Sequence, residues 1–145
     1  LDLLKLDGRF FNVNREGRAV RDPLPLGLQW MIDFQKDGFS GRDAILARRE
    51  AGVPRKIVGV ALAAGGKGLA EGSTVVLDGD PVGTVVACGW SGRLQQEMGL
   101  ALLDRTVAWS GLDLEVRTAS GALPARSISL PPFVPASLSI RLDEV

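Results

Sequence analysis

Apolar and polar positions change their period once along this chain, near residue 55. Before that point the pattern is mixed. Leu1, Leu3, Leu4 and Leu6 suggest the end of a buried helix or strand, Phe10 and Phe11 follow, and residues 12–22 read as a polar loop. Pro23 and Pro25 then stiffen an extended stretch, because each ring fixes φ and pushes the preceding residue away from helical geometry. The apolar run at 26–32 reads as a strand. Residues 40–52 carry the clearest helical signal. Ser40 stands as N-cap, Asp43 occupies the place of a capping-box acid, and Phe39 is set to staple onto Ala44. Arg48 and Arg49 suit the negative C-terminal end of a helix, Gly52 can take a left-handed cap, and Pro54 forbids continuation.

From Arg55 onward the period is that of strands. Residues 57–62 form a β-rich run that ends in the glycine loop Gly65-Gly66-Lys67-Gly68. Residues 74–77 and 82–88 flank Asp78-Gly79-Asp80-Pro81, which is hairpin chemistry. Residues 89–97 read as a polar connection, and 99–103 as another apolar strand. Leu112, Leu114 and Val116 alternate with Asp113, Glu115 and Arg117, the mark of a half-exposed strand. Ala119-Ser120-Gly121 turns the chain, and residues 125–130 return until Pro131-Pro132 stops them. At least five short strands after one helix predict a small antiparallel barrel or sandwich.

Composition narrows what such a domain can do. Hydrophobic residues make up 46%, enough for a packed core. Lys+Arg and Asp+Glu both number 17, so no single-sign field draws in nucleic acid or an anionic membrane. No apolar run approaches a bilayer span, and no signal-peptide pattern opens the chain. The lone Cys88 excludes an internal disulfide and fits a reducing compartment, so a cytoplasmic location is expected. Histidine and tyrosine are both absent, which removes the commonest general base and the usual transition-metal ligand. No catalytic residue and no metal site is predicted. The chain also opens on Leu1-Asp2-Leu3-Leu4 without an initiator methionine, as a fragment or processed piece would.

Individual motifs stay on the structural side. The glycine loop follows a strand, but Leu69-Ala70-Glu71 leaves no room for the helix a phosphate loop needs, so it reads as a strand connection. Asp78 and Asp80 read as turn formers. Cys88, beside Val85, Val86 and Ala87, reads as a small buried hydrophobe. Trp30 and Trp90 are large enough to floor a flat ligand, though core or interface packing is the plainer reading.

A family resemblance adds what these patterns cannot. The segment Pro23-Leu24, Gly27-Leu28-Gln29-Trp30 and Gly38-Phe39-Ser40-Gly41-Arg42-Asp43-Ala44-Ile45 is similar to a stretch of the glycine-cleavage T-protein, or aminomethyltransferase-like, family. Further matches follow in the same order. They are the basic pair Arg55-Lys56, then Val82-Gly83-Thr84-Val85, Met98-Gly99-Leu100-Ala101-Leu102-Leu103, Pro124-Ala125-Arg126 and Leu130-Pro131-Pro132-Phe133-Val134-Pro135. Leu4-Lys5-Leu6-Asp7 resembles the L-R-L-E that precedes them all. The fold then expected is mostly β: a small antiparallel β-barrel of Greek-key type, preceded by a short α-helix and an extended N-terminal strip. Residues 1–37 are expected to be a remnant of a folate-binding body with an extended linker, 38–54 a connecting helix, and 55–145 the C-terminal barrel.

The resemblance further implies tetrahydrofolate as one-carbon acceptor, a small one-carbon donor, and a missing N-terminal body that carries the key aspartate. The barrel would form the wall of the folate channel, with Lys5 and Trp30 as folate-side candidates. Leu1 where the family has arginine, Pro25 where it has glutamate, and Ser91-Gly92 where it has S-P point to a diverged member with another donor. The competing expectation is a non-catalytic protein-interaction module of the same ancestry. An apolar patch around residues 1–11, Trp30 and Phe133 is expected where the body would sit, with self-association of the isolated piece through it.

Overall fold

The structure, a computed structural model, describes Lys5, Leu6 and residues 8–132. Its centre is a closed antiparallel barrel of six strands in the order β1-β4-β3-β2-β5-β6. The strands are β1 (Arg55–Leu62), β2 (Thr74–Leu77), β3 (Asp80–Ser91), β4 (Gln96–Asp104), β5 (Asp113–Thr118) and β6 (Gly121–Ile128). β2, β3 and β4 follow one another as hairpins, and β4 then lies beside β1, which is a Greek-key path. β1 also pairs with β6, from Gly59↔Ile128 to Leu62↔Ala125, and that ladder closes the ring.

The apolar run in β1 has a simple cause: both faces of the strand are buried. Val58, Val60 and Leu62 point into the barrel with Val75, Val85, Ala101, Leu103 and Val116. Ala61 points outward to a second cluster of Leu6, Ala87, Met98 and Leu100, with Ile57 packed against it. A strand covered on both faces reads as continuous hydrophobic sequence rather than as alternation. In β3 a bulge between Val85 and Ala87 shifts the alternation by one residue. Ala87 therefore joins the outer cluster, and Cys88 packs on the inner one.

The hairpin at Asp78-Gly79 is as expected. Both residues have positive φ (52° and 94°), and Leu77 pairs directly with Asp80. That is the geometry whose twist matches the flanking strands.

Four expectations need correction. Residues 26–32 form no strand. Gly27 at φ 73° turns the chain, Leu28 N donates to Pro23 O, and Gln29–Met31 is a 3₁₀ turn. The left-handed Gly27 breaks the extended run, and the amides of Gly27 and Leu28 are spent on the turn, on Leu24 O and Pro23 O, rather than on a ladder. The helix α1 (Arg42–Ala51) starts later than expected: Gly41, at φ 86°, is its N-cap, and no side chain caps it. Ile45 N donates to Gly41 O, so Ser40 is not the cap and Asp43 is only the second helical residue. The polar stretch 89–97 is mostly sheet, since β3 runs to Ser91 and β4 begins at Gln96. There the partner strand, not side-chain polarity, decides. Last, β6 begins at Gly121, contains Pro124 and ends at Ile128, ahead of Pro131-Pro132. Pro124 can sit in it because the β1 ladder stops at Leu62↔Ala125.

The strip ahead of α1 is tied to the barrel at a few points. Ile57 N donates to Pro25 O (2.8 Å), Leu24 and Leu26 are buried, and Leu6 caps the outer cluster. Arg15, in a π-helical turn (Val13–Gly17), pairs with Glu71 and donates to Cys88 O. Asp22, itself buried, holds Arg48 of α1 at 2.6 Å and accepts from Leu24 N.

Gly83, in the Val82-Gly83-Thr84-Val85 segment, lies where β3 crosses β4. A Cβ there would stand 2.3 Å from Leu102 O and 2.7 Å from a Leu103 methyl. Neither can yield without moving the ladder. Gly83→Ala is therefore expected to lower stability by about 1–3 kcal/mol, read from urea unfolding. An unchanged midpoint would show that the two strands have slack.

Candidate functional site

An open groove of about 400 Å³ runs along the seam between the strip and the barrel. Arg9, Leu26–Gly27 and Trp30 of the strip, Ile57–Gly59 of β1 and Trp109–Ser110 of the loop after β4 are among its lining. Trp30 is 78% exposed, the most solvent-facing large apolar side chain among the described residues. The 3₁₀ turn that follows Gly27 presents it outward. Trp109 is 52% exposed on the loop after β4, where Gly111 N donates to Ser127 O and anchors the loop to β6.

Arg9 supplies the polar feature. Its own φ is 57°, and its Nη2 donates to Leu26 O at 2.7 Å. Its Nη1 is buried and has no hydrogen-bond partner among the described residues. Burial pulls the guanidinium below its ordinary pKa, with the carboxylate of buried Glu16 opposing that shift. Glu16 is itself held by Asn12 N at 3.1 Å. A buried N–H without an acceptor costs on the order of 1–3 kcal/mol. Two exposed indoles in the lining of one groove can offer a flat ring a stacking face.

Of the residues singled out from sequence, Trp30 is in this groove. Lys5 is half-buried, gives its carbonyl to Phe10 N, and lies outside the groove's lining. Trp90 is on β3 opposite Glu97, 38% exposed and away from the groove, so neither tryptophan fills the core. Arg9 and Trp109 were not anticipated. Trp109 was the more legible, since a tryptophan in the turn-rich Ala108-Trp109-Ser110-Gly111 has no strand to pack it.

Of the residues expected in an apolar patch, Phe10 and Trp30 are exposed, whereas Leu6 is buried. Residues 1–4 and Phe133 lie outside the described residues.

The other motifs fall on the structural side. The amides of Gly68 and Leu69 both donate to Glu97 Oε2, at 2.9 and 2.8 Å. The donors a phosphate would require are thus taken by the protein's own carboxylate. Cys88 is half-buried, and its thiol donates to Leu69 O. Burial pushes that thiol above its ordinary pKa, the charge of Glu71 adds to the shift, and Arg15 opposes it.

The fold is that of a small Greek-key barrel domain with an appended N-terminal strip. Residues 55–134 match the family described as the glycine cleavage T-protein C-terminal barrel domain, and the chain belongs to that family. It is 39% identical over 111 residues to an aminomethyltransferase of Frankia alni, covering 74% of this chain and 29% of that one. To an aminomethyltransferase of Synechococcus sp. it is 30% identical over 132 residues, covering 90% and 36%. The solved aminomethyltransferase T of the glycine cleavage system from Bartonella henselae superposes with a TM-score of 0.75 at 17% identity. That match covers 91% of this chain and 37% of the other, and it shows the shared fold. The chain thus spans about a third of the length of these relatives.

A raised thiol pKa leaves less thiolate at a given pH, so Cys88 should react slowly. At pH 8 a disulfide reagent such as Ellman's is expected to modify the folded chain about tenfold more slowly than the chain in urea. The folded rate should keep rising with pH beyond the range in which a free thiol levels off. Equal rates in both states would mean that the thiol is exposed and unperturbed.

Proposed function

We propose that this chain is the C-terminal barrel of a tetrahydrofolate-dependent one-carbon transferase or demethylase, and that its groove forms part of the folate channel wall. On this reading residues 1–37 belong to the folate-binding body and its linker, 38–54 connect, and 55–145 are the barrel. The observation that carries the proposal is Trp30, strongly exposed in the lining of a groove that Arg9 and Trp109 also line. Family membership supports it, as do the aminomethyltransferase names of the relatives.

The groove's residues suit such a molecule. Trp30 and Trp109 would take a flat ring, and Arg9 an oxygen that bears or shares negative charge. Lys5, one turn of chain before Arg9, stays in the proposal as a second folate-side residue. Tetrahydrofolate, when bound, supplies the nitrogen that accepts a one-carbon unit. The chain's own part is to bind and orient, and to keep water from one side of the reacting centre. The acid that assists the transfer, and the site of the one-carbon donor, would belong to the body. The exposed apolar side chains Phe10, Val13 and Met31 of the strip would lie under that body. A reducing cytoplasm suits the free Cys88.

Calorimetric titration of the full-length gene product with a reduced folate tests this reading. Saturable binding is expected, and Trp30→Ala should weaken it about tenfold, the loss of roughly one aromatic contact. No binding at millimolar folate would overturn the proposal in favour of a non-catalytic interaction module.

A further inference from the structure

A second cleft, separate from the groove of Trp30, lies where the strip, the end of α1 and the first residue pairs of β1 and β4 meet. It is an open cleft of about 210 Å³, lined by Gln29, Arg49, Gly52, Lys56 and Arg105 among others. Three of these side chains are cations, and no carboxylate lines the cleft among the described residues. We propose that this cleft is a binding site for a small multivalent oxyanion, with phosphate as its simplest ligand.

A solvated helix end explains only part of the arrangement. Arg49 is in the last turn of α1, where a cation suits the helix dipole. That does not account for Lys56 on β1 or for Arg105 just after β4. Neither of these two side chains has a hydrogen bond or ion pair among the described residues. Asp104, the residue before Arg105, is engaged by Arg55 at 2.9 Å. The neighbour of Lys56 has thus taken the carboxylate that would otherwise neutralise this end of the barrel.

The cations are also held in place. The guanidinium of Arg49 lies over the Phe34 ring, 4.5 Å from its centroid. Arg105 N donates to Pro54 O at 2.8 Å, which fixes the turn that carries the side chain. Arg105 Nη1 lies only 2.9 Å from where a Cβ on residue 52 would stand, so Gly52 leaves the space that the guanidinium occupies. Two guanidinium forks and an ammonium around one cleft match an oxyanion better than a neutral ligand, because each fork donates two parallel N–H bonds. The volume sets the size of the ligand. It is below the ~300–1,000 Å³ of usual small-molecule sites, which favours an ion of phosphate size over a nucleotide.

The test is a titration of the full chain with inorganic phosphate, followed by amide ¹H–¹⁵N spectra at constant ionic strength, with chloride as the control. Saturable shifts confined to Gly52, Val53 and Arg105 are expected, with half-saturation below ~10 mM. Arg105→Ala should weaken binding about tenfold, the usual cost of losing a charge-assisted hydrogen bond. Lys56→Ala should act in the same direction. Both side chains are exposed, and unchanged spectra elsewhere will show that each variant folds. Arg117→Ala, on the exposed face of β5, should leave the affinity unaltered. Shifts that grow linearly without saturating, or equal weakening by Arg117→Ala, would overturn the site. No folate enters this experiment, so its outcome is independent of the channel-wall proposal.

Discussion

The structure depends on β1 being paired on both edges and buried on both faces. Its ladders with β4 and β6 close the barrel. Its inward residues, Val58, Val60 and Leu62, complete the interior. Its outward face, with Ala61 and Ile57, forms a second apolar surface that the barrel cannot cover by itself. That surplus is why a strip is needed. Leu6 covers the outer cluster, and Pro25 O meets Ile57 N near the start of β1.

The strip is held differently from the barrel. Hydrogen-bonded ladders and a dry interior hold the strands, while the strip relies on a handful of buried leucines and a few polar ties. Asp22 with Arg48 and Arg15 with Glu71 are the ionic ones. Exposed or half-exposed pairs contribute little in water, so Asp22, which is buried and also accepts from Leu24 N, is the stronger anchor. Both clefts arise at this boundary. The groove of Trp30 opens where the strip crosses β1, and the cationic cleft where it meets the end of α1. Chemistry concentrates at such seams because neither layer can fill the other's irregular edge.

Elements whose cause is local were legible in the sequence. Asp78-Gly79 requires two positive φ values, and few residue pairs other than this kind supply them. The end of α1 was legible from Gly52 and Pro54, but its start was not. Ser40 has the chemistry of a cap, yet Gly41 adopts the left-handed geometry that turns the chain into the helix. At 26–32 the apolar composition was right for burial and wrong for a strand. Leu26 is buried, but no sheet edge was free to pair with it. At 89–97 polar composition concealed a long hairpin, because cross-strand partners such as Trp90↔Glu97 are decided by register.

The sequence by itself determined the fold class, the family and the absence of imidazole and phenol chemistry, since these follow from composition, period and motif order. It also marked Trp30. Tertiary structure alone decided that Arg9 stands beside Trp30 with a buried, unpartnered N–H, and that Arg49, Lys56 and Arg105 share one cleft. The physical reason is distance along the chain. Arg9 and Trp30, and Lys56 and Arg105, are separated by tens of positions, and no local propensity reports which of them the fold will bring together.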